Sequence, residues 1–188
     1  MANIASNVSA GKPKTTGAIW AAPKGTTLPL NTDSALDAAF KCLGYCSNDG
    51  LTNGTNLESE TIKAWGGNTV LTIQTSKDDT FGFTLIEVLN EDVLKFVYGA
   101  SNVVGSLETG LTVKANGSEV EEVSLVIDMI MRDNTAKRIV IPAGKISELG
   151  DITYSDEDAV GYETTVTCTP DTAGNTHYEY IKKAVVSG

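Results

Sequence analysis

A two-residue alternation of apolar and polar side chains is the feature that most restricts what this chain can fold into. Its clearest stretch is residues 81–88, where Phe81, Phe83 and Leu85 alternate with small or polar residues. Successive side chains of a β-strand point to opposite faces, so this pattern predicts strands with one buried and one hydrated face. The 188 residues suffice for one domain, because a chain near this size buries about 70% of its unfolded surface.

Turn-forming residues divide the alternating pattern into separate predicted strands. Asp133-Asn134-Thr135 is expected to close a hairpin, and Lys77-Asp78-Asp79 is expected to turn the chain before residues 81–88. Residues 48–60 are expected to form a loop. The predicted strands cover residues 17–22, 61–65, 70–75, 81–88, 123–131, 137–142, 146–154, 160–168 and 177–181.

Two helices are predicted among these strands. A short helix over residues 34–41 can be capped by Thr32 or Asp33, and a second helix over residues 91–98 can be capped by Asn90. Acidic residues open the second helix, where they complement the helix dipole. Its single apolar stripe needs a sheet or another subunit to pack against. The residues therefore predict a mainly β (α+β) fold.

Charge and cysteine content exclude several classes of protein. The net charge is −10, with 24 acidic and 14 basic residues, whereas nucleic-acid binding needs clustered Lys and Arg. The acidity fits either simple solubility or a surface that does not adhere to DNA passing close by. Three cysteines argue against a disulfide framework and for a reducing compartment. No basic leader or membrane-spanning apolar run is present, so we expect synthesis in a cytoplasm.

Residues suited to catalysis or metal binding are few. His177 is the sole histidine, and its polar surroundings predict an ordinary surface side chain. Cys42, Cys46 and Cys168 are the other soft metal ligands, but their spacing lacks the Cys-x2-Cys pattern of zinc sites. No phosphate-binding loop or nucleophile elbow occurs. We therefore expect no enzyme activity, no bound metal and no cofactor.

The order of turns and aromatic strand ends in residues 17–67 carries a resemblance to a known family. The stretch contains, in order, Gly17-Ala18-Ile19-Trp20-Ala21-Ala22-Pro23-Lys24-Gly25, Leu43-Gly44-Tyr45, Asp49-Gly50-Leu51-Thr52 and Ile62-Lys63-Ala64-Trp65-Gly66-Gly67. Followed by residues 81–85 and the helix ending at Tyr98-Gly99, it resembles the major tail proteins of long-tailed, non-contractile bacteriophages, the siphophages. The C-terminal half agrees in character, with a charged hairpin and alternating strands.

The resemblance implies a structural subunit with a β-sandwich or half-barrel fold of the tail tube type, one flanking α-helix and a short helix. Six copies would form a homo-hexameric ring, and rings would stack into a tail tube in the virion. Strands of neighbouring copies would join into a continuous barrel around a lumen. The tape measure protein would occupy that lumen before DNA passes through it to the host without specific binding. Tail terminator and distal tail proteins would be further partners.

The resemblance also implies a division of the chain. Residues 1–16 are small and polar and predict a flexible arm, while residues 17–188 would form a single tail tube domain. Many members of the family carry an additional immunoglobulin-like domain at the C-terminus. Because this sequence stops at Gly188, we expect no such domain here.

Two sets of residues are candidates for the surfaces of a tube. A lumen needs small, polar or acidic side chains that do not hold phosphates, although a face of this kind could equally look outward. The candidate lumen face consists of Thr72, Gln74, Thr80, Gly82 and Thr84. The candidates for ring-to-ring contacts, in the 48–60 loop and the charged hairpin, are Asp49, Glu58, Glu60, Arg132 and Arg138.

A non-catalytic carbohydrate- or surface-binding β-sandwich is the alternative function. Such a module needs an exposed aromatic platform, and Trp20 and Trp65 are the only tryptophans available. Both are predicted at strand ends, where burial in the core is the expected outcome.

Overall fold

The computed structural model describes residues 3–183, so the first two residues of the predicted arm and the last five of the predicted domain lie outside the described residues. The fold is mainly β, as predicted, with 48% of the residues in strands and 9% in helices. It contains one α-helix and short 3-10 turns, and its antiparallel sheet agrees with a β-sandwich of the tail tube type.

Eleven strands and one α-helix are found in the described part of the chain. Short 3-10 turns lie at Ala5–Asn7, Ala100–Asn102 and Arg132–Asn134. The elements are β1 (Lys12–Pro13), β2 (Ile19–Pro23), β3 (Lys41–Cys42), β4 (Cys46–Lys63), β5 (Thr69–Leu85), α1 (Glu91–Tyr98), β6 (Val103–Ser106), β7 (Gly110–Val113), β8 (Val123–Ile130), β9 (Ala136–Leu149), β10 (Tyr162–Cys168) and β11 (Tyr178–Lys182).

One large antiparallel sheet contains nine of these strands, in the order β3-β2-β8-β9-β10-β5-β4. The short β1 adds to β8, and β11 adds to β9, while β6 and β7 form a separate hairpin. The long β9 connects the two halves of the sheet. Its first residues pair with β8 and β11, and its last residues pair with β10.

Apolar clusters cover both faces of β8 and β9. Leu125 and Ile127 on β8 belong to the larger cluster, which also contains the buried faces of β5, β10 and α1. Val126 and Val140 face the opposite way, into a smaller cluster with Ala22 and Phe40. Since both faces are covered, β8 is buried almost without alternation.

The helix α1 is where the sequence predicts it. The Asn90 side chain accepts a hydrogen bond from the Asp92 backbone N–H at 3.0 Å, which caps the first turn. Gly99 ends the helix with a φ of 90°, a conformation that favours glycine. The Phe96 ring lies against that of Phe83 with 6.2 Å between centroids, so the helix packs on the buried face of β5.

The predicted short helix over residues 34–41 is wrong. The Asn31 side chain accepts hydrogen bonds from the backbone N–H groups of Asp33 and Ser34, and Asp37 accepts one from Ala39. Asn and Asp side chains thus satisfy the backbone in turns, which compete with a helix of so few residues. The apolar residues still pack inward, because Phe40 is buried in the smaller cluster.

The strands of the central region are longer than predicted. Residues 48–60 are not a loop but lie within β4, and residues 77–79 are not a turn but continue β5. Residues of these two segments pair with each other across β4 and β5, for example Leu57 with Lys77 and Thr55 with Asp79. Pairing satisfies their backbone groups although their side chains lack alternation. Of the strand predicted at 146–154, residues 146–149 form the end of β9, but residues 150–154 are not in a strand. The 133–135 turn is confirmed.

The described part of the N-terminal arm lies alongside β8. Lys12 pairs with Ile130, and the Arg132 backbone N–H donates a hydrogen bond to the Ser9 hydroxyl at 2.7 Å. The Arg132 guanidinium also donates to the Ala5 carbonyl at 3.0 Å. These contacts are exposed to solvent, so they hold the arm at the surface of the sheet.

Candidate assembly surfaces

A two-stranded hairpin extends beyond the body of the sheet. The strands β4 and β5 contain 18 and 17 residues and pair with each other along nearly all of this length. By contrast, β10 pairs with β5 only from Thr80 to Leu85. Within residues 3–183, residues 55–79, the distal hairpin, therefore form strand pairs only with each other. A two-stranded ribbon is marginally stable in water unless another surface packs on it.

A β-bulge decides which side chains of the distal hairpin share a face. Glu58 pairs with Ser76, but the next residue, Ser59, pairs with Gln74. Thr75 is therefore an extra residue on β5 without a partner of its own. An extra residue moves the side chains beyond it to the opposite face of the strand.

The bulge splits the predicted lumen face in two. Thr80, Gly82 and Thr84 share the side of β5 that faces away from the core. Thr72 and Gln74 lie beyond the bulge, on the side that continues the buried face of the strand. The five residues have even numbers and would share one face of a regular strand, so the expectation that they form a single face is wrong.

Apolar side chains are exposed on the other face of the distal hairpin. Ile62 pairs with Leu71, and Glu60 pairs with Ile73, so these side chains share one side of the ribbon. The three apolar residues are between 45% and 51% exposed. The apolar hairpin face is therefore Ile62, Leu71 and Ile73. Side chains of this kind mark an interaction surface when they cluster.

Two carboxylates border the apolar hairpin face. Glu58, Glu60 and Ile62 are two residues apart along β4, so all three side chains point to the same side. Neither glutamate has an ion-pair partner within residues 3–183. At the end of the hairpin Trp65 is fully exposed, so its predicted burial in the core is wrong. Gly66 and Gly67 form the turn with positive φ.

The body of the sheet has a face composed of small hydroxyl-bearing and glycine residues. The Thr167 hydroxyl donates a hydrogen bond to the Ser147 hydroxyl at 2.8 Å, and Thr165 pairs with Gly82. A Cβ at Gly82 would lie 2.7 Å from the Thr52 hydroxyl, so glycine permits this close approach. The hydroxyl face consists of Thr52, Gly54, Thr80, Gly82, Thr84, Ser147, Thr165 and Thr167. Two carboxylates lie on the same side of the sheet, because Glu163 pairs with Thr84 and Glu148 pairs with Thr165.

A buried carboxylate lies at the base of the distal hairpin. Asp79 has no exposed surface and accepts hydrogen bonds from the Thr55 hydroxyl at 2.7 Å and from the Thr176 hydroxyl. The Lys77 ammonium is 3.2 Å away, and Nδ1 of His177 is 3.7 Å away. Burial acts to raise the pKa of Asp79, but the two hydroxyls and Lys77 outweigh it and lower the pKa to about 2. The carboxylate is therefore ionised at neutral pH.

A comparison with known protein families identifies the family of this chain. Residues 5–187, nearly the whole chain, match the family described as phage tail tube protein. The chain belongs to this family. It is therefore a structural, non-catalytic component of a phage tail. A comparison with curated proteins finds no match.

The tail tube subunit uses its two arginines differently. Arg132 is exposed and contacts the N-terminal arm. Arg138 is only 3% exposed, and its guanidinium donates two hydrogen bonds to the Asp128 carboxylate, at 2.6 and 2.8 Å. It also donates to the carbonyls of Asn31 and Ser34. The structure thus places Arg138 inside the subunit, where it holds a loop on the sheet, and not at a ring-to-ring surface.

The remaining contact candidates lie along β4 of the tail tube subunit. Asp49 is exposed near the start of the strand and accepts a hydrogen bond from the Ser47 hydroxyl at 3.1 Å. Glu58 and Glu60 are in the distal hairpin, so the three acids belong to one strand but to different parts of the molecule. Sequence reasoning missed Asp79, Thr55 and the apolar hairpin face.

His177 and the cysteines, the other candidates for catalysis or metal binding, are packed against neighbouring side chains of the subunit. The His177 ring packs edge-on against Phe81, with centroids 5.3 Å apart. Burial raises the pKa of the Cys168 thiol to about 12 and that of Cys46 to about 11. Within residues 3–183, no three His, Cys, Asp or Glu side chains cluster as a metal site would require. The same range has no helix with the length and apolarity to cross a membrane.

The two tryptophans lie on different elements of the subunit. Trp20 is half-buried on β2, packs against the smaller apolar cluster, and donates from its ring nitrogen to the Gly17 carbonyl at 3.3 Å. Trp65 is at the end of the distal hairpin. Of the two tryptophans considered for an exposed aromatic platform, only Trp65 is fully exposed.

Proposed function

We propose that the protein forms the tail tube of a siphophage by assembling into homo-hexameric rings that stack, and that the tube conducts DNA from capsid to host. Family membership supports a tube-forming subunit. The observation that carries the finer proposal is the distal hairpin, a long ribbon with exposed apolar residues and no covering element within residues 3–183.

The free edge of β4 supports closure into a ring. This strand ends the sheet order, and its second side has no partner among the described residues. A long unpaired edge is a site for uncontrolled association unless another strand covers it. Pairing with the next copy in a closed ring would satisfy this edge in every subunit.

The distal hairpin supports stacking of one ring on the next. Burial of Ile62, Leu71 and Ile73 against a neighbouring copy would remove apolar area from water and stabilise a ribbon that is marginal alone. Glu58 and Glu60 would lie at the border of that contact. Asp49 and Arg132 remain exposed candidates for further ring-to-ring contacts.

The hydroxyl face supports the assignment of the lumen. Thr80, Gly82 and Thr84 belong to it, and Lys145 reaches it only at a margin, beside Thr167. A surface with few cations offers phosphates little attraction, and the net charge of −10 adds repulsion. In this proposal Thr72 and Gln74 belong to the hairpin and not to the lumen. The tape measure protein would fill the lumen during assembly in the host cytoplasm, and the tail terminator and distal tail proteins would close the two ends.

Electron microscopy of the purified protein tests this proposal. Samples at rising concentration, with and without the tape measure protein and the tail initiator, are expected to show six-fold rings and tubes with a central channel. Subunits that stay monomeric under all of these conditions, or rings of another symmetry, would contradict it.

A further inference from the structure

The distal hairpin leaves the body of the molecule at one definite position. The last pair between β10 and β5 is Thr167 with Thr80, and the next residue of β5 is Asp79. Beyond that point no third strand of the described residues holds the ribbon. Any side chain that fixes its direction must therefore act near Asp79.

Three separate segments meet at the Asp79 carboxylate. Thr55 belongs to β4 of the hairpin, Lys77 belongs to β5, and Thr176 belongs to the segment between β10 and β11. Of these three, only Thr176 is part of the body, and its neighbour His177 approaches the same carboxylate to 3.7 Å, so this segment connects the ribbon to the rest of the fold. The edge contact of His177 with Phe81 lies beside it.

We propose that Asp79 is a positioning residue, which fixes the direction of the distal hairpin and so presets the surface through which subunits assemble. The inference rests on the proposed assembly function. A hairpin already held in its bound direction loses less conformational freedom on docking, and this increases affinity.

The chemistry of the cluster requires a carboxylate. Its two oxygens can accept from several donors at once, which matches the two hydroxyls and the ammonium that surround it. An alanine at position 79 would leave Thr55, Thr176 and Lys77 without their acceptor. Ionised partners make hydrogen bonds stronger than neutral ones, so the loss would free the base of the ribbon.

The direction of the hairpin can be measured with two spin labels. One label is attached at Asn68→Cys beside the hairpin turn, and the other at Thr112→Cys on β7, both exposed positions. Cys42 and Cys46 are replaced by serine, while the buried Cys168 is left in place. Pulsed electron spin resonance then gives the distribution of distances between the labels in the full chain.

The labelled protein with Asp79 in place is expected to give one narrow distribution of distances between the two labels. Asp79→Ala should broaden it and slow tube formation by roughly tenfold, the effect of losing a hydrogen bond to a charged group. Asp78→Ala is the matched control, because it removes the same charge from the next residue, which is exposed on the opposite face. Thr176→Val provides a milder change, should Asp79→Ala fail to fold.

The outcomes separate this inference from the proposed function. Broad distributions for Asp79→Ala or Thr176→Val, with a narrow one for Asp78→Ala, support the positioning role even if no tubes form. Narrow distributions for both cluster variants, or equal broadening in Asp78→Ala, would overturn it even if tubes form normally.

Discussion

Two buried carboxylates, Asp79 and Asp128, determine local structure at the scale of single residues. Asp128 pairs directly across the β8–β9 hairpin with Arg138, and their side chains form a bidentate ion pair. A turn centred on Asn134, as the sequence predicts, would place Asp128 opposite Val140, because both strands run back from the turn by the same number of residues. The observed partner is Arg138, two residues from that position. This register was not predictable, and neither was the burial of Arg138, because arginine is usually exposed.

Removal of the Arg138 guanidinium should destabilise the subunit strongly. Arg138→Met would leave the buried Asp128 carboxylate with only the partly exposed Lys14 ammonium, 3.7 Å away, and breaking a buried ion pair typically costs about 3–5 kcal/mol. Chemical denaturation monitored by circular dichroism measures this change. Arg132→Met is the matched control and should change the free energy of unfolding by less than about 1 kcal/mol, since its contacts are exposed. An equal loss in the free energy of unfolding for both variants would contradict the assignment of Arg138 to the interior of the subunit.

Acid should weaken the contribution of Asp79 to stability. Its pKa is lowered from the ordinary 3.8 to about 2, so folding favours the ionised form. The stabilisation is complete above the unfolded pKa, amounts to about 2 kcal/mol, and is lost as the pH falls through the folded pKa. Lys77, His177 and Cys168 are the other titratable groups near this carboxylate.

Urea unfolding at several pH values checks this dependence. The difference in free energy of unfolding between the wild type and Asp79→Asn should shrink as the pH falls from about 5 to about 2. A difference that stays constant over this range would show that ionisation of Asp79 does not stabilise the fold.

At the scale of elements, the distal hairpin shows where sequence patterns stop being informative. The helix α1 and the strands at 81–85 and 162–168 have local signals, a cap or a regular alternation, and they form as predicted. The hairpin strands are mostly polar and exposed, so only their pairing reveals them. Likewise, the bulge at Thr75 depends on the register with β4, which no local pattern encodes.

A charge on the apolar hairpin face should block assembly without unfolding the subunit. Ile73→Glu places a carboxylate among the exposed apolar side chains, and we expect the concentration needed for tubes to rise by roughly tenfold or more. Thr72→Glu is the matched control, since it adds the same charge to the adjacent residue on the opposite face.

Sedimentation and electron microscopy measure the effect, and circular dichroism verifies the fold of both variants. Normal tube formation by Ile73→Glu would show that the apolar hairpin face is not part of the interface between subunits. An equal loss in both variants would point to charge on the hairpin as such, and not to the face.

At the scale of the whole molecule, the hydroxyl face and the distal hairpin divide the surface between two tasks. The body has a covered core on both sides of β8 and β9, and the hairpin contributes no residue from its distal part to either apolar cluster. The hairpin can therefore change its contacts while the body stays folded. The division was not predictable, because it depends on how far β4 and β5 extend beyond β10.

A cation on the hydroxyl face should make an assembled tube retain DNA. Thr80→Lys places an ammonium on that face between Gly54 and Thr167, with no carboxylate directly opposite it, and we expect tubes to bind short DNA at low salt and release it at high salt. Thr112→Lys on β7 is the control, with the same charge at an exposed position elsewhere. Filter binding with purified tubes measures retention. Equal retention by both variants would place the hydroxyl face outside the lumen.

The antiparallel pairing of β4 and β5 also has a mechanical consequence. Both strands are anchored in the same body and joined by the turn at Gly66 and Gly67. A pull on the tip of the hairpin is therefore shared by two covalent backbones, and the hydrogen bonds between them run perpendicular to the load. In a stacked tube, tension along the axis would reach the body without unzipping the ribbon, so we expect such a tube to resist stretching more than bending.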